Sequence, residues 1–292
     1  MATQQMIYAS AVPVSHAKHG SWSVEAGTDF AFSKSINSVP LTAVEFPSAA
    51  ADYVIIFAGA GDAVVPAVLL GIRDHENLYL GDDGGWKSKY VPAFLRRYPF
   101  VFSSGDEGKT FTLCIDESFA GFNQQQRGQP LFGAERKPSQ YVENVLKFLQ
   151  QYQAEFQRTQ AFCKKLKDMN LLESMRAQIR LDSGENISLT GFMVIDRARL
   201  KTLSSEKLAE LANTDELELI YIHLQSMRNF TGMRERLAAA GTAVARPQDA
   251  PAEIAPADTK SKAKPADAKA KPALTKGKAD AGEAGAKTGR KS

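Results

Sequence analysis

The first fifty residues show no steady alternation of apolar and polar positions, which predicts an irregular opening with short strands. From Tyr53 the pattern turns to β. Residues 53–58, 64–72 and 77–80 are short apolar runs parted by glycine and aspartate, as a meander requires. A glycine-rich loop, Gly81-Asp82-Asp83-Gly84-Gly85, follows. Pro92 suits the first turn of a helix and Pro99 stops it, so residues 93–98 are predicted to be a short helix. Residues 100–103 and 110–115 then flank Gly105-Asp106-Glu107-Gly108 as a hairpin, with Asp116 emerging from its second strand.

After Pro138 the period becomes helical. Tyr141, Val145, Phe148/Leu149, Tyr152, Phe156, Thr159, Cys163 and Leu166 recur at spacings of three and four. Carried to Asn170, such a helix would be roughly 50 Å long at about 1.5 Å per residue, which predicts a kink or break near residues 158–160. A second hairpin joins residues 177–181 and 187–195 around Asp182-Ser183-Gly184-Glu185. Residues 206–212 read as a helix capped by Ser204 or Ser205. Asp215-Glu216-Leu217-Glu218 has the spacing of a capping box, with Asp in place of Ser or Thr. The helix it opens shows one apolar face of Leu217, Ile220/Tyr221, Leu224 and Met227 and a second of Leu219, Ile222 and His223, the pattern of a buried helix. Together these elements predict an α+β protein: antiparallel hairpins packed with several helices in a single domain, residues 1–240.

Composition changes at Gly241. Residues 241–292 are Ala, Lys, Pro and Asp with almost no large apolar side chains, so burial cannot offset their ordering entropy and a disordered tail is expected. That tail carries 11 of the 36 basic and 6 of the 33 acidic side chains, leaving 25 basic against 27 acidic before it. The net charge of +3 therefore belongs to the tail. A nearly neutral body has no general electrostatic reason to seek nucleic acid, which is not an expected partner.

Several chemistries are disfavoured. Residues 53–72 are apolar over a span long enough for a bilayer, but Gly59, Gly61, Asp62 and Pro66 interrupt them, and two buried strands fit better than an integral membrane segment. The first twenty residues lack a basic stretch followed by an apolar one, so a cytoplasmic location without a signal peptide is expected, with surface association only by another route. Cys114 and Cys163 stand apart in apolar surroundings and read as buried small hydrophobes. His16 and His19 have no nearby cysteine or carboxylate to complete a metal set, so no metal is expected. His223 reads as a satisfied core histidine, with Ser226 one turn on but no orienting acid. Gly59-Ala60-Gly61 follows a strand but lacks the third glycine and the helix of a dinucleotide turn, and no cofactor is expected.

The densest candidate site is Trp86, Tyr90, Arg96, Arg97, Tyr98 and Asp116. Neighbouring arginines could clamp a carboxylate or phosphate, with aromatic rings beside them for stacking and cation–π contact. Alternatively, one arginine pairs with Asp116 and the other is solvated. Adjacent residues on a helix point about 100° apart, so one should face inward, toward Asp116 or a backbone carbonyl. Arg97, nearer the hairpin, is the expected inward residue.

The run Tyr90-Val91-Pro92-Ala93-Phe94-Leu95-Arg96-Arg97-Tyr98-Pro99-Phe100 resembles the most recognisable segment of the bacterial SapC family. Asn77-Leu78-Tyr79-Leu80, Gly85-Trp86, Gly128–Gly133 (GQPLFG), Gly191-Phe192-Met193-Val194-Ile195-Asp196 and His223-Leu224-Gln225-Ser226-Met227 are similar too, so the resemblance covers roughly residues 6–237 in order. It implies a family named for a component associated with a bacterial surface layer, with no agreed activity or catalytic residues. The peptide-transport permease of the same name is unrelated. The expected function is a non-enzymatic binding or accessory protein with an anion- or peptide-accepting cleft near Arg96 and Arg97. An enzyme of unknown class assisting small-molecule or peptide modification and a surface-layer structural component are the alternatives. The partner would be a small anionic ligand or a peptide. The oligomeric state and whether the chain is an enzyme stay open.

Overall fold

The computed structural model describes residues 7–25, 27–105, 110–180, 184, 186–241 and 253–256. The chain opens with β1 (Ala11–Pro13), α1 (His16–His19), β2 (Ser23–Val24), β3 (Ser38–Pro40) and α2 (Phe46–Ala49), short elements as the weak periodicity predicts. The hairpin of β4 (Ile55–Ala58) and β5 (Val65–Leu69) follows, then α3 (Ala93–Arg96) and a second hairpin, β6 (Phe100–Gly105) and β7 (Thr110–Asp116). After the two-residue strands β8 (Phe122–Asn123) and β9 (Gln129–Pro130), α4 (Gln140–Asp168) leads to the hairpin of β10 (Leu172–Arg180) and β11 (Asn186–Ile195). The helices α5 (Arg197–Lys201), α6 (Ser205–Asn213), α7 (Glu216–Ser226) and α8 (Phe230–Gly241) come next, followed by β12 (Glu253–Pro256).

All strand pairs are antiparallel, and the sheets have orders β12-β10-β11-β4-β5-β3, β1-β7-β6 and β8-β2-β9. Helices packed on antiparallel sheets make the fold α+β. Residues 53–72 are β4 and β5 joined by a turn at Gly61–Ala63 that holds Asp62. Gly59 makes that reversal possible. Its φ is +114°, and a Cβ there would meet the Ala63 carbonyl oxygen at 2.3 Å. Among the described residues no helix is long and apolar enough to cross a membrane.

Two apolar cores result, and α4 serves both. Val142 and Leu149 join Val24, Phe100, Ile115 and Leu131 in the smaller core. Tyr152, Phe162, Cys163 and Leu166 join the larger one under the six-stranded sheet. The helix runs unbroken through the expected kink. Thr159, the polar member of its stripe, is fully buried, and its hydroxyl donates to the Glu155 carbonyl at 2.7 Å while accepting from the Ala43 amide at 2.8 Å. With both hydrogen-bonding roles filled, the threonine needs no break in the helix.

Other elements depart from the pattern. Residues 77–80 form no strand, only an isolated bridge between Leu80 and Trp86. Asn77 turns the chain there, since its side-chain oxygen accepts from the Tyr79 amide at 3.0 Å and its Nδ2 donates to Ser33. Ser204 does cap α6, accepting from Lys207. The capping box expected at Asp215 is absent. That residue is left-handed (φ 59°) and makes no side-chain cap, and the Thr214 hydroxyl instead donates to Glu216 Oε2 at 2.6 Å. β10 begins at Leu172, pairing onward across a bulge between Met175 and Ala177. Residues 106–109, 181–183 and 185, where the sequence places the hairpin loops, lie outside the described residues, as does the tail except for Gly241 and β12, which pairs with β10 from Met175 to Gln178. The chain divides into a unit of Met1–Ala257 and a second, Asp258–Ser292, wholly outside the described residues.

α7 buries Ile220, His223 and Ser226, while Tyr221 stays half exposed. His223 Nε2 accepts from the Ile195 amide at 3.1 Å, and its ring lies 5.0 Å from that of Phe57. Burial lowers its pKa to about 3. An unfolded histidine titrates near 6.5, so between those values the unfolded chain takes up a proton that the fold refuses. This contribution is complete above about pH 6.5 and shrinks as pH falls toward 3, by at most about 1.4 kcal/mol per unit. The melting temperature should therefore fall more steeply from pH 6.5 to 4 in the parent chain than in His223→Gln. Parallel curves would remove His223 as a source of acid sensitivity.

Candidate functional site

Glu45, at the end of the turn before α2, is 4% exposed and carries four hydrogen bonds. Its Oε2 accepts from the Thr42 amide at 2.8 Å and the Thr42 hydroxyl at 2.7 Å. Its Oε1 accepts from the Tyr90 phenol at 2.8 Å and the Ala93 amide at 2.7 Å. A buried carboxylate is tolerated only when its lone pairs are filled, so this cluster locks the start of α3 against the 42–45 turn. Burial, then the Glu45 charge, pushes the Tyr90 phenol well above its ordinary range.

From that anchored start the helix turns once, and its two arginines part. Arg97 is the inward one, 4% exposed, with its guanidinium carbon 4.2 Å from the Phe94 ring centroid, 5.1 Å from that of Tyr152 and 5.6 Å from that of Tyr8. Burial raises the Tyr152 phenol to about 12 and the Tyr8 phenol further still. The expected partnership of Arg97 with Asp116 does not form. Asp116, fully buried, accepts from the Ala9 amide at 2.7 Å, the Ser10 amide at 3.4 Å, and the Ser118 amide and hydroxyl at 3.1 and 2.7 Å. Its own amide donates to the Pro99 carbonyl at 3.0 Å. Asp116 ties β7 to the residues before β1, and its charge, after burial, helps raise the Tyr98 phenol.

Arg96 is exposed. Its Nε donates to the Val91 carbonyl at 3.0 Å and its Nη2 to the Tyr90 hydroxyl at 3.4 Å. The guanidinium carbon stands 5.7 Å from the Tyr90 ring centroid and 5.4 Å from that of Phe148. No carboxylate pairs with it among the described residues. Beside it lies a cleft of about 160 Å³ walled by Phe30, Phe32, Tyr98, Phe119, Tyr141 and Phe148, with Asp29 on the rim. The Tyr98 ring stacks on Phe32 at 4.1 Å. Trp86 lies one layer back. Its ring meets Phe30 at 5.5 Å, and its indole N–H donates to the Tyr53 hydroxyl at 2.7 Å and the Tyr90 carbonyl at 3.2 Å.

The fold thus gathers Arg96, Arg97 and Tyr98 at one cleft, sets Tyr90 against Arg96 with Trp86 one layer back, and gives Asp116 to the scaffold. Glu45, Phe30 and Phe32 stand outside the site that the sequence pattern marks. Thr42-Ala43-Val44-Glu45 carries the T-x-x-E spacing of a capping box, a signal that could have found Glu45. Phe148 was visible only as part of a helical stripe, and Phe30 and Phe32 lie where no period runs.

The remaining candidates are structural. The Ser226 hydroxyl donates to the His223 carbonyl at 2.7 Å and accepts from the Ile55 amide at 3.1 Å, so it faces no imidazole nitrogen. His19 is buried, with Nδ1 accepting from the Ser15 amide at 3.1 Å and Nε2 2.8 Å from Glu117. His16 packs edge-on against Phe132. Among the described residues no group of three or more His, Cys, Asp or Glu could hold a metal ion. Both cysteines are buried, and burial pushes the Cys163 thiol up to about 12, away from nucleophilic chemistry.

The class defined here is an α+β domain with an arginine held at the mouth of an aromatic cleft. Residues 14–233 match the SapC family, and the chain belongs to it. No curated protein and no solved structure matches the chain.

Two outcomes follow from this geometry. Glu45→Ala strands the Thr42 and Ala93 amides and the Tyr90 phenol and should cost on the order of 3–5 kcal/mol in denaturant unfolding, with Glu45→Gln between it and the parent. A loss below about 1 kcal/mol would show that water replaces the carboxylate at no penalty. Arg97→Ala should cost roughly 2–3 kcal/mol through lost ring contacts, whereas Arg96→Ala should change stability by less than about 0.5 kcal/mol. Equal losses would show that the two side chains do not divide into scaffold and surface.

Proposed function

We propose that this SapC-family chain is a non-enzymatic binding or accessory protein whose cleft beside Arg96 accepts a small anionic ligand or the carboxylate end of a peptide. One observation carries the reading: Arg96 is exposed and aimed by two hydrogen bonds, yet meets no carboxylate among the described residues. A guanidinium held this way keeps donors for bidentate contact with an oxyanion at little ordering cost. The aromatic walls favour an apolar group next to that anion, and about 160 Å³ suits a single side chain rather than a cofactor. Among the described residues Asp29 is the one acid on the lining and no cysteine or histidine joins it, which favours binding over chemistry.

Calorimetric titration with phenylacetate and with phenylacetamide tests this reading. The acid should bind at least tenfold more tightly than the amide, and Arg96→Ala should reduce the acid to the level of the amide with the fold intact. Equal affinities for acid and amide, or no heat from either, would overturn it.

A further inference from the structure

Against the same aromatic wall lies a second and larger hollow, a basin of about 530 Å³. Phe32 lines both spaces. Tyr98 lines the cleft and stacks on Phe32, and Tyr8, on the basin side, meets the Tyr98 ring at 5.5 Å. The two spaces therefore share one partition of packed aromatic rings. Their linings differ in kind. The cleft is aromatic, with Arg96 at its mouth, Arg97 in its lining and Asp29 on its rim, while the basin carries the polar side chains of Ser35, Asn37 and Asp74. Asp74 is exposed, and among the described residues its one side-chain hydrogen bond is a long 3.4 Å contact from Asn37 Nδ2. No cation pairs with it among the described residues. His75 beside it is held at a φ of 59°, a conformation that side-chain-bearing residues seldom adopt and that clusters at binding sites.

An uncompensated arginine at an aromatic slot and an uncompensated aspartate in an adjoining polar basin are complementary to a ligand with an apolar group next to an anion and a cation some way along. The basin falls within the range of about 300–1,000 Å³ typical of ligand sites, and the cleft falls below it. A small carboxylic acid would fill the cleft and leave the basin empty. We propose that the ligand is the C-terminal end of an extended peptide: the last side chain, apolar, enters the cleft with its carboxylate on Arg96, and the preceding residues cross Phe32 into the basin, where Asp74 takes a basic side chain. This rests on the cleft reading above and adds the identity of the partner. The polar basin side chains suit a peptide backbone, whose amides and carbonyls need partners wherever they leave water.

Three probes separate the two levels of the proposal: phenylacetate, acetyl-Ala-Ala-Ala-Phe and acetyl-Lys-Ala-Ala-Phe, the peptides with free C-terminal carboxylates. Binding is followed by calorimetry and by the fluorescence of Trp86, which lies against Phe30 of the cleft wall. The lysine peptide should bind at least tenfold more tightly than phenylacetate and about fivefold more tightly than the alanine peptide. Asp74→Asn should abolish the preference for lysine. Ser35→Trp, at an exposed basin position, should weaken both peptides at least tenfold and leave phenylacetate unchanged. If phenylacetate binds through Arg96 but the peptides are no tighter and ignore both substitutions, the peptide inference fails and the cleft reading stands. If no probe binds, both fall.

Discussion

A single carboxylate buried among apolar side chains organises the central part of this protein. Glu45 could not be buried there without filled lone pairs, and the chain supplies four donors from two distant segments. The 42–45 turn and the start of α3 are therefore held in one geometry. The next residue along extends the lock, since the Ala43 amide donates to Thr159 in the middle of α4. The long helix, the turn and α3 thus share a polar network at the heart of the larger core. Such a network tolerates few alternative arrangements, because any shift strands a buried donor or acceptor.

The division of labour between the arginines follows from that lock. Once the first turn of α3 is fixed, a rotation of about 100° per residue sends one guanidinium inward and the next outward. The inward one lies among three aromatic rings, where its delocalised and weakly hydrated charge is better accommodated than an ammonium would be. The outward one is steadied by the Val91 carbonyl and by Tyr90, the residue that Glu45 itself holds. Arg96 is therefore tied to the buried carboxylate through one phenol. The surface group inherits part of the rigidity of the core, and preorganisation of that kind lowers the entropic cost of binding.

The cleft exists because α4 spans two cores. Its buried stripe fills both, and a neighbouring stripe of Tyr141, Val145 and Phe148 is left to face α3. Phe30 and Phe32 close the opposite side from the irregular opening of the chain. Such a wall cannot be assembled from any one secondary element.

Period and punctuation in the sequence determined the α+β class, the β4–β5 reversal at Gly59, the β6–β7 and β10–β11 hairpins, α4, and α6 with its Ser204 cap, because each rests on interactions a few residues apart. The neighbouring arginines and their opposite facing were legible for the same reason, as helical rotation is local. What only the tertiary structure decided depends on partners far apart in the chain. Glu45 became an anchor through Tyr90 and Ala93, and Asp116 was drawn from Arg97 to the amides of Ala9 and Ser10 across about a hundred residues. Thr159, buried within an unbroken α4, found its donor in the Ala43 amide, and Asn77 folded an apolar run into a turn by reaching Ser33. Phe30, Phe32 and Phe148 became one wall only when three segments met. Local pattern records which face of an element is apolar, but the partner of a buried polar group is chosen by whichever donor or acceptor the whole fold brings within 3 Å, and no spacing along the chain encodes that choice.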